Sequence, residues 1–322
     1  MVLKDTRIIL ERMQDAVGVV LSGEHGTSKV AACAFHPDHP GQVPVACVSE
    51  RPVPLRAHFP WDARIGASSQ FIHAELSALL RFGGPWTGAH VCVTDPFCPN
   101  CAKIMAEAGV QAIHIDHKGF EKDFIARNGD EFKSMSMLIA EKAGISVHVV
   151  NRKAGSVTPI AEHFAVTRPA AAGVEFFDIA PGMSVPDAAA QMRERLGARD
   201  VWTLAFVSSD DGAQKGLLVY EALPSGITPE DFRTRTGDTG KYRFPIDPLT
   251  RLGIVLRRMD MTLANDEIAC ARVPSSRALV NALGMGMSRF ALASALPDHD
   301  PKGVEALALL TAKGIVSVTE VA

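Results

Sequence analysis

Two short apolar runs with a helical pattern between them place the strongest limit on the fold of this chain. HVCVTD starts at His90 and VQAIHID starts at Val110, and each has the length and β-branched content of a buried strand. Between them, CPNCAKIMAEAG predicts a helix that stops at Gly109. Neighbouring strands joined through a helix pair in parallel. The segment therefore predicts a layered α/β domain.

The same alternation extends over the rest of the first half. KVAACAFH and VPVACVSE, separated by the turn-forming PDHPGQ, predict a hairpin. SSQFIHAELSALLRFGG predicts a helix that is capped by Ser68 or Ser69 and ended by Gly83. DEFKSMSMLIAEKAG predicts a further helix and ISVHVVN a last strand. We expect a three-layer domain over residues 1–155.

The second half repeats this order of elements. SVPDAAAQMRERLG predicts a helix, VWTLAFVSS and GLLVYEALP predict a hairpin, and helices then alternate with strands up to IVSVTEV. A shift of 177 positions lays HVCVTDPFCPNC on EIACARVPSSRA without a gap. Polarity rises around NRKAGSVTP, where we place the boundary. Two tandem copies of one fold, residues 1–155 and 156–322, are the simplest interpretation.

Composition argues against several classes of protein. The 322 residues are 47% hydrophobic, enough for about two domains with sizeable cores. A net charge of −3 gives no general attraction to nucleic acid or anionic lipid. No apolar run approaches the ~20 residues that span a bilayer, and the opening MVLKDTRIILERMQ mixes charge into its apolar positions. We expect a cytoplasmic protein with no membrane partner.

One histidine, one glutamate and two cysteines stand out for their spacing. His73 and Glu75 lie two apart at the start of a predicted helix, and Cys98 and Cys101 lie three apart at the start of another. Cysteines three apart share one face of a helix, and a helix N-terminus favours thiolates. Two thiolates and one imidazole give Zn²⁺ three protein ligands and leave a fourth position open, as in catalytic zinc sites.

Residues 1–150 resemble the cytidine/deoxycytidylate deaminase superfamily, and HAEL followed by CPNCAKIMAEAG is most similar to its deoxycytidylate-type branch. The resemblance implies one Zn²⁺ per chain, held by His73, Cys98 and Cys101, with Glu75 as the catalytic proton shuttle. It implies parallel strands on either side of DEFKSMSMLIAEKAG. Tandem members whose second copy has lost its zinc ligands also occur. The expected fold is two tandem three-layer α/β/α cytidine-deaminase-like domains, each with a five-stranded mixed sheet.

The chain departs from the family pattern at two places. Phe97 precedes the first cysteine of the pair, where the family usually has proline. VSERPVP stands where nucleotide-binding members place an Asn before a Pro to hold the sugar. The candidate substrate contacts are therefore assigned by place and residue type: Ser49, Glu50, Arg51, Trp61 and Ala74, with Arg56, Phe59 and Arg64 as further candidates for binding a phosphate or stacking a base.

The favoured function is a zinc-dependent hydrolytic deaminase that acts on a small amino-heterocycle, with a cytosine nucleoside or nucleotide as substrate. A nucleic-acid deaminase ranks lower because aromatic residues make up only 6% of the chain and the net charge is negative. A noncatalytic zinc-stabilised assembly module ranks lower because it has no need of Glu75. A homodimer remains open.

The second copy offers no comparable set of ligands. The ungapped match places His73 on Thr250, Glu75 on Leu252, Cys98 on Ser275 and Cys101 on Ala278. We expect this half to contribute packing. Four other cysteines, Cys33, Cys47, Cys92 and Cys270, are predicted to be core residues, and His114 and His148 are predicted to face the surface or to be hydrogen-bonded.

Overall fold

The computed structural model describes residues 6–24, 29–60, 62, 64–66, 69–121, 130, 132–163, 173–196, 201–233, 243–293 and 300–321. They belong to two compact units. Unit 1 comprises Met1–Glu50, Ile72–Pro169 and Pro224–Thr236, and unit 2 comprises Arg51–Phe71, Ala170–Leu223 and Gly237–Ala322. Each unit therefore includes one short segment from the opposite half of the sequence.

Unit 1 contains a six-stranded mixed sheet in the order β2-β1-β3-β4-β5-β6. The strands are β1 (Ala31–Phe35), β2 (Val45–Val48), β3 (His90–Val93), β4 (Ala112–Asp116), β5 (Ser146–Asn151) and β6 (Ser156–Ala161). β1 pairs antiparallel with β2 and β3, as the predicted hairpin requires. β3, β4 and β5 are parallel, which confirms the expectation for strands joined through helices.

Helices cover both faces of this sheet. They are α1 (Thr6–Val19), α3 (Ala74–Arg81), α4 (Pro99–Ala108) and α5 (Met137–Lys142). The helix numbered α2 (Val53–His58) belongs to unit 2. α1 packs through Ile9, Met13 and Ala16 in a cluster that includes Cys33 and Cys92 of the sheet. α3 packs against β1, β2 and α4, and a π-helical stretch at Phe132–Ser136 leads into α5. These are the three predicted layers.

In unit 2, five strands repeat the order and the pairing directions of β2-β1-β3-β4-β5, and the sixth strand lies at the opposite edge of the sheet. Its sheet runs β12-β11-β10-β8-β9-β7. The strands are β7 (Val174–Phe177), β8 (Trp202–Ser208), β9 (Gln214–Tyr220), β10 (Thr262–Cys270), β11 (Arg289–Leu292) and β12 (Ser317–Glu320). Its helices are α6 (Val185–Leu196), α8 (Pro248–Arg258), α9 (Ser276–Gly284) and α10 (Pro301–Ala312). The helix numbered α7 (Pro229–Arg233) belongs to unit 1. The predicted repetition of one mixed α/β fold is confirmed.

In the part of the chain that the structure describes, each sheet has six strands where five were predicted. In unit 1 the extra strand, β6, doubles back antiparallel to β5, and in unit 2 the extra strand, β7, pairs with β9. Both lie at sheet edges and are largely exposed, so they lack the buried pattern by which the other strands were predicted. β6 starts at Ser156, directly after the predicted boundary. The division into domains 1–155 and 156–322 stays a prediction.

The helix that carries Glu75 starts later than predicted. α3 begins at Ala74 with His73 as its N-cap and ends at Arg81. Ser69 lies before this helix, because the backbone of Ile72 is still extended and pairs with Glu50 across an isolated bridge. Ser68 lies outside the described residues. The correction matters because it places a metal-binding residue type at the helix N-terminus.

Burial of the four cysteines outside the pair is confirmed, since Cys33, Cys47, Cys92 and Cys270 are all at most 6% exposed. Burial raises the pKa of Cys33 and of Cys270 to about 12, which keeps both thiols protonated and inert. Within the described part of the chain, no helix has both the length and the apolar composition to cross a membrane.

Three histidines form a row across the unit 1 sheet. His90 lies on β3, His114 on β4 and His148 on β5, with His114 Nε2 and His90 Nδ1 3.1 Å apart. The rings of His114 and His148 stack with centroids 5.0 Å apart. His114 is therefore buried and hydrogen-bonded, one of the two predicted alternatives, while His148 is buried with Nε2 3.9 Å from Glu162.

This row predicts a loss of stability at acidic pH. Burial lowers the pKa of all three imidazoles, and that of His90 falls from 6.5 to about 4. The pKa of His90 is lower in the folded protein than in the unfolded chain, so protonation favours unfolding. The folded state therefore has its full stability above about pH 6.5 and loses stability as the pH falls towards 4. For His90, which is half-buried, this amounts to about 2–3 kcal/mol.

The measurement is thermal unfolding of the wild type and of His90→Gln between pH 7 and pH 4. The variant should lose less stability over this range than the wild type, whatever its stability at pH 7. Equal losses in the two proteins would show that His90 does not contribute to the acid sensitivity.

Candidate metal centre

His73 and Cys98 occupy equivalent positions, each at the N-cap of a helix. Both have extended backbone angles, and neither side chain caps its own helix, so both are free to point elsewhere. Pro99 at the first position of α4 favours the helix start directly after Cys98. Cys101 follows in the first turn of α4. The two helix N-termini thus present an imidazole and two thiols.

These three side chains converge. His73 Nδ1 lies 3.2 Å from Cys101 Sγ and 3.4 Å from Cys98 Sγ, and the two sulfur atoms are 3.6 Å apart. A tetrahedral zinc ion with ordinary Zn–N and Zn–S bonds would separate its ligand atoms by about 3.6–3.8 Å. The donor set and its spacing therefore fit Zn²⁺. Among the residues that the structure describes, no other group of three potential ligands is arranged in this way.

The two thiols of this cluster differ in acidity. The hydrogen bond with Cys101 is the main cause that lowers the pKa of Cys98, with help from the nearby His73. Burial raises the pKa of Cys101, and the same hydrogen bond acts in that direction. Metal binding would require both thiols to be deprotonated.

Glu75 lies in the first turn of α3 and is only 3% exposed. Burial raises the pKa of its carboxyl, while the nearby His73 and a hydrogen bond with the Cys101 thiol act in the opposite direction. A buried carboxyl that contacts a ligand cluster is placed to carry a proton. The structure thus brings Glu75 together with His73, Cys98 and Cys101.

The predicted substrate contacts of unit 1 are partly used by the fold itself. Ser49 is buried, and its Oγ accepts a hydrogen bond of 3.2 Å from the Ala74 backbone N–H, so the two residues contact each other at the start of α3. The Glu50 carboxylate instead pairs with Arg81 at 2.7 Å. Ser49 therefore helps cap α3, a role that the sequence did not indicate.

The remaining candidates lie in the segment Arg51–Phe71 of unit 2. Arg51 donates to the carbonyls of Leu55 and Phe59 at 2.9 and 2.6 Å, which closes α2. Arg64 pairs with Asp62 at 2.6 Å. Phe59 is 8% exposed and presents little surface for stacking. Trp61 lies outside the described residues. A substrate-binding role stays a prediction for all five residues: Ser49, Glu50, Arg51, Trp61 and Ala74.

Phe97, the residue before Cys98, is a core residue. It is 1% exposed and meets Phe132 edge-to-face, with ring centroids 5.4 Å apart. The aromatic side chain therefore packs the start of α4 against the π-helical stretch that precedes α5. This packing leaves Cys98 at the N-cap.

In unit 2 the corresponding helix N-termini carry a carboxylate and a hydroxyl. Ser275 is the N-cap of α9, which confirms its match to Cys98, and Asp247 is the N-cap of α8. His73 therefore corresponds to Asp247 and not to Thr250. The ungapped match fails here because α8 has 11 residues and α3 has 8.

Asp247 joins the two helices of unit 2. Its Oδ1 accepts from the Leu249 N–H at 3.0 Å and its Oδ2 from the Ser275 N–H at 3.1 Å. One carboxylate thus links the N-termini of α8 and α9, where unit 1 has its three potential ligands. By the same helix starts, Glu75 corresponds to Leu249, which cannot carry a proton.

Comparison with protein-family models gives no match, and comparison with curated proteins gives none either. Among solved structures, the chain is similar to two of dCMP deaminase from the cyanophage S-TIM5, one in complex with dCMP and dUMP and one in apo form. Each shares 18% identity and covers 44% of this chain. The similarity extends over 96% and 97% of those chains, with TM-scores of 0.33 and 0.31. Because the identity is this low, the substrate has to be inferred from the chemistry of the side chains in this protein.

Proposed function

We propose that the protein is a zinc-dependent hydrolytic deaminase that releases ammonia from a small amino-heterocycle, with a cytosine nucleoside or nucleotide as substrate. The convergence of His73, Cys98 and Cys101 beside the buried Glu75 carries this proposal. Structural zinc sites are closed by four protein ligands, whereas catalytic sites keep one position open. A set of three ligands with an adjacent carboxyl fits the catalytic type.

The chain's own residues supply binding and proton transfer. His73, Cys98 and Cys101 would hold the zinc ion, which supplies Lewis acidity that makes water a nucleophile at neutral pH. Glu75 would accept a proton from the attacking water, pass it to the ring nitrogen, and deliver a proton to the departing amine. A C–O bond forms and a C–N bond breaks, which leaves the keto product and ammonia.

Burial suits Glu75 to this cycle. Burial raises the pKa of its carboxyl, which helps the carboxyl to take up the proton of the attacking water. A noncatalytic zinc-stabilised module, the alternative of another class, gains nothing from a buried carboxyl that costs free energy to desolvate. A homodimer stays a prediction.

The purified protein should contain one zinc per chain and release ammonia from at least one of a panel of cytosine, adenine, guanine and pterin compounds. Joint replacement of Cys98 and Cys101 by Ser should abolish both properties, since hydroxyls are poor zinc ligands. Cys270→Ser is the matched control, because it changes a buried thiol of unit 2 in the same way. Metal analysis and an ammonia assay are the measurements.

Three outcomes would count against this proposal. Two zinc ions per chain, or zinc that survives the joint replacement, would show that the ligands are wrong. Stoichiometric zinc without ammonia from any compound of the panel would favour the noncatalytic module.

A further inference from the structure

A buried guanidinium on α9 holds the backbone at Gly66, Ser69 and Phe71. Arg277 is 4% exposed, and its Nη1 donates to the Phe71 carbonyl at 2.7 Å. Its Nη2 donates to the Ser69 carbonyl at 2.7 Å and also to the Gly66 carbonyl. A buried charge is tolerated when it is fully hydrogen-bonded, and the planar fork of arginine fixes several acceptors at once. Three carbonyls that precede α3 are thus fixed to one helix.

Ser276, the preceding residue of α9, binds the same segment. Its hydroxyl donates to the Arg64 carbonyl at 2.8 Å and accepts from the Gly66 N–H at 2.7 Å. Gly66 has a φ of +80°, and a Cβ there would lie 2.0 Å from the Ser69 carbonyl oxygen. The turn around Gly66 therefore requires glycine, and two adjacent side chains of α9 hold it closed.

The held segment leads directly into the candidate metal centre. Phe71 is bonded to Ile72, whose backbone exchanges hydrogen bonds of 2.8 and 3.1 Å with Glu50. His73 follows as the N-cap of α3. Only Ile72 separates the carbonyl that Arg277 binds from the residue whose imidazole belongs to the cluster. A displacement of the Phe71 carbonyl is therefore passed along the chain to His73.

We infer that Arg277 is a positioning residue for the metal centre, because it fixes the path by which the chain enters α3. The inference rests on the proposed function, which makes His73 a zinc ligand and Glu75 the proton shuttle. The first turn of α4 presents Cys98 and Cys101, and the equivalent turn of α9 instead anchors the segment that precedes His73. The second half thereby has a specific task in the chemistry of the first.

The test compares Arg277→Lys with Arg251→Lys in the full chain. Lysine keeps the charge, but its single ammonium group cannot reproduce the fork that reaches three carbonyls. Arg251 is the matched control, since it is 1% exposed and donates to the Tyr220 carbonyl in the same unit. Arg277→Lys should speed amide hydrogen exchange at residues 64–73 by about tenfold or more. It should also weaken Zn²⁺ binding, measured by chelator competition, by about 10–100-fold.

Arg251→Lys should leave the exchange of residues 64–73 and the zinc affinity at their wild-type values. Equal effects of the two substitutions would mean general loosening of unit 2 and would overturn the inference, as would a folded Arg277→Lys protein with unchanged exchange and zinc affinity. If Arg277→Lys does not fold, the milder variant Ser276→Ala is measured in its place. It should raise the amide hydrogen exchange of Arg64 and Gly66. If the wild type binds no zinc, the proposed function fails, and the exchange rates still decide whether Arg277 holds the segment.

Discussion

Replacement of Glu75 by Gln is expected to leave zinc bound and to reduce ammonia release by about 10²–10⁴-fold. Glutamine matches the size of the carboxyl and can still hydrogen-bond to Cys101, so the cluster of His73, Cys98 and Cys101 should keep its geometry. The amide cannot accept the proton of the attacking water or return it to the departing amine. The loss should therefore fall on kcat, with metal content unchanged.

Glu107→Gln is the control for this substitution. Glu107 is also buried, but it lies six residues beyond Cys101, about 9 Å along α4. This variant should keep both zinc and turnover. Loss of zinc in Glu75→Gln would make Glu75 a ligand or a structural residue, and full activity with zinc retained would show that another group moves the proton.

A fragment that contains only the first half should fail to reproduce the zinc binding and turnover of the whole chain. Residues 1–155 lack β6, and even residues 1–163 lack Pro224–Thr236, which belongs to unit 1. Within that unit Asp231 pairs with Lys142 at 3.3 Å, and a Cβ at Gly226 would lie 1.8 Å from the Lys142 carbonyl oxygen. The fragments would also leave the segment before His73 without Arg277.

The measurement is solubility, zinc content and ammonia release of residues 1–163, alone and co-expressed with residues 164–322. We expect zinc binding to fall by at least about tenfold in the fragment alone and to recover on co-expression, because the missing segment and Arg277 are then restored. A fragment that is monomeric, zinc-loaded and as active as the whole chain would show that the second half is independent.

The elements that the sequence predicts are those whose signal is local. β3, α4 and β4 follow one another with buried periodic patterns and clear stops, so their order and parallel pairing could be derived directly. α1 could also have been predicted, since Ile9, Met13 and Ala16 have helical spacing. β6 could not, because its exposed residues and Pro159 mimic a linker, although proline is tolerated in an edge strand.

The residues of the candidate site likewise comprise some that local motifs predict and others that they do not. His73, Glu75, Cys98 and Cys101 could be predicted to converge because two short motifs start two helices. Arg277 could not, because its partner Phe71 is 206 residues away and a basic residue in a first helical turn normally faces solvent. The correspondence of His73 to Asp247 was also hidden, since it depends on the extra turn of α8 and not on local pattern.

The carboxylate of Asp247 has a consequence for how each half depends on its surroundings. In unit 2 an anion built into the chain joins the N-termini of α8 and α9, and its two hydrogen bonds form whenever the backbone folds. In unit 1 two thiols and an imidazole occupy the same place, and the zinc ion proposed for them would come from solution and displace the thiol protons. On the proposed function, the supply of zinc would therefore affect the folding of unit 1, whereas the link between α8 and α9 in unit 2 needs nothing from solution.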